Sequence, residues 1–499
     1  MRLIPLLALL SCTSDSRDVQ TPAPALDERI TIDGLFTHLE ALQAIADGHE
    51  GHRAVGSTGY AASVDYVVQV LEASGYEVQR APFTARLWQQ FGPTVAEVSG
   101  GPSFVSGEEI AALRGSPGGD VTAPVAAVDL MLPPGDQSSS TSGCEPEDFV
   151  DFPAGHIALI QRGGCFFQVK AELAEAAGAS AVLVFNEGQP GRTELEGWQL
   201  DPDQPLSIPV VGANFATGST VAEGLNNGEL IMRLFVDAER VEVESENVLA
   251  DTPGDASHTV VVGGHLDSVP EGPGINDNGT GVALMLELAR LMAEDEAPEN
   301  RVRFAFWGAE EIGLVGSLDY LQNVDESELD GFVANLNFDM IGSPNGSPFI
   351  YDGDGDDWGQ AGPDGSGIVE GLFEAWFDQQ GKRSLSTPLD GRSDYGGFLM
   401  LDIAAGGLFS GAEGTKEFDE AGAFGGVAGE PRDPCYHRAC DTIDNIDPVL
   451  FLDLSRAAAF ATEQLARGEA VMPPRSPSAA RRVPTTHIGA CGHAGDERQ

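Results

Sequence analysis

The 499-residue chain is predicted to be an α/β protein interrupted by a β-rich insertion, and two patterns carry that prediction. From "ENVLADT" at Glu246 onward, β-branched runs such as "HTVVVGG" and "RVRFAFWG" alternate with helix-period segments such as "GVALMLELARLM". That order is expected of strands and helices layered on an open sheet. Between residues 91 and 242 the character changes to short strands and Gly/Pro turns, among them "AAVDLML" and "HIALIQRGGC", with one clear helix at "FQVKAELAEAAGA".

Ahead of the insertion, "LFTHLEALQAIA" and "GYAASVDYVVQVLEASG" have helical spacing, with Val64, Val67, Val68 and Leu71 on one face, and "YEVQRAPF" follows as a strand. Near the other end "FLDLSRAAAFATEQLARG" puts Leu454, Ala458, Ala461 and Leu465 on one face, as a packing helix does. Residues 469–499, rich in Pro, Ser and Arg, read as a flexible tail.

A hydrophobic content of 42% is enough to fill ordinary cores. The formal net charge of -51, from 78 acidic and 27 basic residues, argues against nucleic acid or an anionic membrane surface as partner and reads as a solubility or salt adaptation. The opening "MRLIPLLALLSC" has a basic residue and a short apolar run, the pattern of an export signal and too short to span a bilayer. Its ending resembles a bacterial lipobox with Cys12 as the lipidated residue, plain secretion being the alternative. Residues 1–25 are thus a signal peptide and polar tether, and the protein is expected to be exported, either anchored at the cell envelope or secreted. Disulfides persist in such a compartment, and the simplest pairing is local, Cys144 with Cys165 and Cys435 with Cys440, with Cys491 left over.

The chemistry concentrates where strands end. "HTVVVGG" is a buried strand by its β-branched run, so His265 and Asp267 emerge at the carboxyl edge of the sheet, and Asp277 follows just before an apolar helix. "RVRFAFWGAEEIG" delivers Glu310 and Glu311, "FVANLNFDMIG" delivers Asp339, and "CYHRAC" holds His437 inside a ring that Cys435 and Cys440 could close. Zinc takes imidazole nitrogen and carboxylate oxygen, and paired catalytic ions about 3.5–4 Å apart can share a carboxylate. Two histidines and three carboxylates suit two zinc ions. That inventory leaves one of the adjacent glutamates as a candidate general base.

Together "GGHLDSVPEGPGINDNGTG", "WGAEEIGLVGS", "NFDMIGSPN", "GRSDYGGF", "GGLFSGAEG" and "CYHRACDTIDNI" resemble the secreted dizinc aminopeptidases of bacterial leucine aminopeptidase type. "GHIALIQRGGCFFQVKAELAEAAGASAVLVFNE" with "SIPVVGANF" resembles a protease-associated domain, a non-catalytic addition to exported peptidases. The resemblance implies a zinc peptidase domain from residues 26–90 and 243–468, a protease-associated domain at 91–242, and a three-layer α/β/α sandwich with a mixed central sheet. His265 and Asp339 would hold one zinc, Glu311 and His437 the other, and Asp277 would bridge. Glu310 would take a proton from water and pass it to the leaving amine, Asp267 would orient the His265 imidazole from behind, and Tyr436 would donate to the oxyanion. Arg392, Asp394 and Phe409 are expected at the substrate pocket, Phe409 as an apolar wall. Peptides with large apolar N-terminal residues are the implied substrates.

Other motifs are discounted. His49 and His52 in "GHEGHR" are flanked by glycines, His156 begins an apolar strand, and His487, Cys491 and His493 fall in the tail. "YDGDGDDWGQAGPDGSG" alternates Asp and Gly as a calcium loop does, but counted from Asp352 its sixth residue is Asp357 and its twelfth Pro363, which favours a solvated loop. The competing readings are a carboxypeptidase or glutaminyl cyclase of the same clan, and a binding protein whose metal site is idle.

Overall fold

The computed structural model describes residues 24–474 apart from 136, 196, 202, 203 and 205. Cys12, the leader and most of the tail lie outside the described residues, and no helix among those described is long and apolar enough to cross a membrane.

Two sheets organise the chain. The first has eight strands in the order Val78–Gln90, Ala238–Asp251, Asn300–Trp307, Asp255–His265, Phe332–Phe338, Ala405–Phe409, Phe349–Asp352 and Leu385–Pro388. It is mixed: Asp255–His265 runs parallel to both neighbours, while Ala238–Asp251 is antiparallel to both of its own.

Period-two alternation explains why this sheet is covered on both faces. Val260, Val262, Phe304, Phe306, Leu336 and Phe338 join one core with the helices Ile32–Gly48, Thr58–Ala73, Thr280–Ala293, Ser366–Gln379 and Pro448–Ala466. Their neighbours Val261, Ala305 and Trp307 join another, beneath the helices Val315–Asn323 and Tyr395–Met400. Strands buried on both sides read as continuous apolar runs, hence "TVVV". Three layers result. Three of these five helices begin with side-chain caps: Thr31 accepts from the Gly34 N–H, Ser57 from Tyr60, and Asp447 from Val449 and Leu450.

The second sheet has seven strands, in the order Val95–Val98, Ile231–Val236, Gly119–Val128, Ile157–Gln161, Ala181–Phe185, Val210–Ala213 and Ile110–Ala112. Where the chain passes between the sheets it forms a long antiparallel ribbon, Val78–Gln90 against Ala238–Asp251, in register from Val78↔Ala250 to Gln90↔Ala238. Both expected disulfides are present, Cys144–Cys165 and Cys435–Cys440.

Sheet register sets the site. His265 pairs with Trp307, and Gly263 with Asn337, so the parallel strands Asn300–Trp307, Asp255–His265 and Phe332–Phe338 end side by side. Leu336, fully buried on the strand Phe332–Phe338, tests the core. Leu336→Ala should destabilise the protein by about 2–5 kcal/mol in urea unfolding, whereas truncation of Val427, 60% exposed, should leave the midpoint unchanged.

Candidate metal centre

His265 is the last residue of its strand and 1% exposed. Its Nε2 lies 3.1 Å from Asp277 Oδ1 and 3.2 Å from Asp339 Oδ1, with Glu310 Oε2 farther away at 4.0 Å. The other oxygen of Asp277, Oδ2, lies 3.2 Å from His437 Nε2, which is also 3.0 Å from Glu311 Oε2. One carboxylate thus faces two imidazoles, one oxygen to each.

Local backbone structure delivers these groups. Asp277 occupies the tight turn Ile275–Gly279 before the helix Thr280–Ala293, with non-helical φ and ψ. Asn278 braces that turn by donating to the Phe338 carbonyl at 2.8 Å and accepting from the Gly281 N–H at 2.9 Å. Asp441 braces it from the other side by accepting from the N–H groups of Asn276 at 2.9 Å and Asp277 at 3.1 Å. Asp339 accepts the Ser393 hydroxyl at 2.7 Å. His437 lies in the Cys435–Cys440 ring at φ 54°, its imidazole stacked on Tyr436 with ring centroids 3.9 Å apart.

Asp267 lies behind the His265 imidazole and also reaches the two glutamates. The His265 Nδ1 is 3.1 Å from its backbone oxygen and 3.7 Å from its Oδ1, while its carboxylate accepts from the N–H groups of Glu310 at 3.2 Å and Glu311 at 3.4 Å. It therefore ties the two glutamates to the histidine strand. Asp394 differs from expectation. It was expected at the substrate pocket, but it is fully buried at the start of the helix Tyr395–Met400, and neither carboxylate oxygen has a hydrogen-bond partner among the described residues. A group so enclosed cannot touch a peptide in the cleft. Arg392 is half-exposed and 3.7 Å from Glu413, and Phe409, at the end of its strand, packs against Phe349 and Tyr351.

Charge crowding governs protonation in the metal-free protein. Burial opposes a charge on His265, but Asp339, Glu310, Asp267 and Asp277 outweigh it and raise its pKa well above the usual imidazole value. Burial likewise opposes a charge on His437, yet Glu311 and Asp277 push it up to about 11. Glu310 is raised well above the ordinary carboxylate range by burial, then by Asp339 and Glu311, and Glu311 rises to about 7 from burial and Asp277. Burial opposes ionisation of Asp277 too, but the two imidazoles hold its pKa below the usual range.

These residues fit zinc. The donors are imidazole nitrogen and carboxylate oxygen, ligand atoms of His265, Glu310 and Asp339 and of His265, Asp277 and Glu311 lie within 4.8 Å of one another, and Glu311 Oε1 is buried without a hydrogen-bond partner among the described residues. A third group, Asp352, Asp354, Asp356 and Glu370, also converges. Its buried members are occupied by their own loop: Asp352 accepts from the N–H groups of Gly355 and Trp358, each at 2.7 Å, and Glu370 from those of Gly353 at 2.9 Å and Asp354 at 3.2 Å. His49 hydrogen-bonds Thr58 at 2.9 Å, and neither it nor His52 belongs to a metal-type cluster among the described residues.

Sequence reasoning missed Arg53, Ser393 and Asp441. Asp441 and Ser393 each stand beside a residue that was singled out, Cys440 and Arg392, but nothing in their spacing marks them as braces. Arg53 was passed over in "GHEGHR" for its histidines.

Zinc binds neutral imidazole, so its binding at His265 and His437 would displace the protons they hold. Because the raised pKa values keep both rings protonated at neutral pH, zinc affinity should rise with pH and fall as acid restores the protons. Calorimetric titration in buffers of different ionisation enthalpy should show net proton release at pH 7; identical heats in all buffers would contradict the protonation described.

Known proteins share this architecture. Residues 247–462 match the model of peptidase family M28 and residues 121–221 that of the PA domain. An aminopeptidase of Pseudomonas aeruginosa is 47% identical over 451 residues, spanning 90% of this chain and 83% of that protein. A probable lipoprotein aminopeptidase of Mycobacterium tuberculosis, LpqL, is 41% identical over 432 residues, spanning 85% and 83%. Among solved structures, an aminopeptidase from Aneurinibacillus sp. strain AM-1 superimposes with a TM-score of 0.69 at 27% identity, covering 90% of this chain and 98% of that one. A zinc aminopeptidase from Bacillus subtilis shares the fold with a TM-score of 0.65 at 24% identity, covering 88% and 96%. With nearly half its residues identical to one such relative along most of both chains, and its histidines and carboxylates gathered at the sheet edge, the chain belongs to peptidase family M28 and carries a PA domain.

Proposed function

We propose that this chain is an exported dizinc aminopeptidase that releases large apolar residues from the free N-termini of peptides. Its class, an aminopeptidase, follows from its family and from relatives so named, and its imidazole and carboxylate donors suit zinc. The finer reading rests on one observation above the others, the Asp277 carboxylate set between the imidazoles of His265 and His437. His265 and Asp339 would hold one ion, Glu311 and His437 a second, with Asp277 shared. When bound, zinc supplies Lewis acidity toward the scissile carbonyl and toward attacking water.

The protein's own groups do the rest. Glu310 is the carboxylate set back from His265, which leaves it free to take the proton of the attacking water and return it to the departing amine nitrogen. Asp267 fixes the turn that carries Glu310 by holding two successive N–H groups. Tyr436, stacked on His437, would donate its hydroxyl to the developing oxyanion. Glu310 and Asp339 supply negative charge for a terminal ammonium, and Phe409 an apolar wall for the first side chain. A carboxypeptidase would need Arg392 for a terminal carboxylate, but Glu413 beside it shares that charge.

Residues 91–242 are taken as the inserted protease-associated domain, with 26–90 and 243–468 as the peptidase. The leader ending at Cys12 and the lipoprotein named among the relatives support export, with a lipid anchor at Cys12 or plain secretion.

Glu310→Gln should lower kcat at least about 100-fold with zinc content unchanged by metal analysis; retention of more than a tenth of the wild-type rate would remove Glu310 as the base. Leucyl and phenylalanyl reporter peptides should be cleaved and their N-acetyl counterparts resist, because acetylation removes the ammonium that the carboxylates attract. Equal rates on the two sets would turn the reading toward the carboxypeptidase.

A further inference from the structure

Arg53 is a fully buried arginine on the turn between the helices Ile32–Gly48 and Thr58–Ala73, far in sequence from the metal centre. Its guanidinium donates to three backbone carbonyls of one loop: Leu266, Pro273 at 3.0 Å and Gly274 at 2.6 Å. Its backbone takes part as well. The Arg53 N–H donates to Ser268 Oγ at 2.9 Å, and the Arg53 carbonyl accepts from the Ser268 N–H at 3.4 Å.

These contacts fall at chosen places. Leu266 and Ser268 flank Asp267, whose backbone oxygen faces His265 Nδ1 and whose carboxylate holds the N–H groups of Glu310 and Glu311. Pro273 and Gly274 lead directly into the turn that carries Asp277. The loop between has two prolines and two glycines and no place in the sheet. Gly274 lies at φ +64°, where glycine is favoured, and a Cβ there would come within 3.2 Å of the guanidinium.

We propose that Arg53 is a positioning residue that clamps both ends of the loop 266–274, holding Asp267 and Asp277 in place about His265. This rests on the reading of His265 and Asp277 as metal ligands. The planar fork matters because one guanidinium reaches carbonyls at both ends of the loop at once, which a lysine ammonium on a single-point tether does poorly. Charge adds to geometry: Asp267, Asp441, Asp277 and Glu311 all favour the cation, and although burial pulls its pKa down to about 10, Arg53 stays protonated at neutral pH. In the metal-free protein this buried cation offsets part of the carboxylate crowding.

The test uses the full chain with Arg53→Lys and Arg53→Met. Zinc release is followed with a chromogenic chelator, and folding by near-ultraviolet circular dichroism. Loss of a partner behind a metal ligand changes metal affinity or activity by about 10–100-fold, so folded R53M should release zinc about tenfold faster or more. Its kcat should fall by a similar factor with KM within about threefold, and R53K should recover only part of the loss. Folded R53K and R53M that release zinc at the wild-type rate and keep the wild-type kcat would overturn the inference. Ser268→Ala keeps the guanidinium and removes one strap, so it decides the matter should both arginine variants fail to fold: faster zinc release supports the clamp, unchanged release overturns it. The underlying ligand reading fails separately, if Asp277→Asn or His265→Ala retains the full zinc content of the wild type.

Discussion

Asp267, Asp277, Asp394 and Asp441 are buried in one small region, and Glu310, Glu311 and Asp339 stand at its edge only slightly more open to water. Removing an ion from water costs several kcal/mol even after the protein relaxes, so this much negative charge must be matched nearby. Much of the surrounding structure is the matching. The N–H groups of Glu310 and Glu311 point at Asp267, those of Asn276 and Asp277 at Asp441, and a serine hydroxyl at Asp339. The imidazoles and Arg53 bring positive charge. What they leave unmatched is the attraction for a metal.

Asp394 shows the limit of such matching. With no hydrogen-bond partner among the described residues, it has its pKa pushed up to about 7 by burial, with Asp267 and Asp339 adding to the rise against His265. A neutral carboxyl is the cheaper state for a group so placed. Natural folds accept such departures where function requires charge in a confined space, and make up the loss in ordinary packing. Here the fully buried side chains of Val260, Val262, Phe304, Phe306, Leu336 and Phe338 lie immediately behind the site, on the strands that end in it.

The sequence made the strand ends legible because chemistry and patterning coincide there. A β-branched run followed at once by His265, or an apolar run followed by Asp339, needs no partner elsewhere in the chain to be noticed. Asp277 could be read as well, since glycines and an apolar helix bracket it. Asp394 was expected at the pocket from the resemblance alone, whereas it is fully buried at a helix start, and the direction of a side chain there is set by packing that no local motif encodes. The braces were invisible for a related reason. Arg53 acts on residues more than two hundred positions away, so its meaning depends on a tertiary contact. Strands alternating with helices foretold helices layered on an open sheet but not its strand order, in which Ala405–Phe409 lies between Phe332–Phe338 and Phe349–Asp352.

That distance also bears on what counts as the catalytic unit. The family match begins at residue 247, after the insertion, yet the site is not complete from there. Residues 26–90 contribute Arg53 to the metal loop and Gln43, whose side chain accepts from the Ile443 N–H just beyond the His437 ring. They also supply Tyr60, which donates to the Glu246 carbonyl where the chain re-enters the sheet, and the edge strand Val78–Gln90. From the inserted side, Arg114 pairs with Glu271 at 3.0 Å on the outer rim of the same loop that Arg53 grips from within. The exposed pair is worth little in energy, but its position means that the loop between His265 and Asp277 touches both segments that precede it in the chain. The early helices and the later strands therefore meet at this loop, which carries Asp267 and leads into the turn of Asp277.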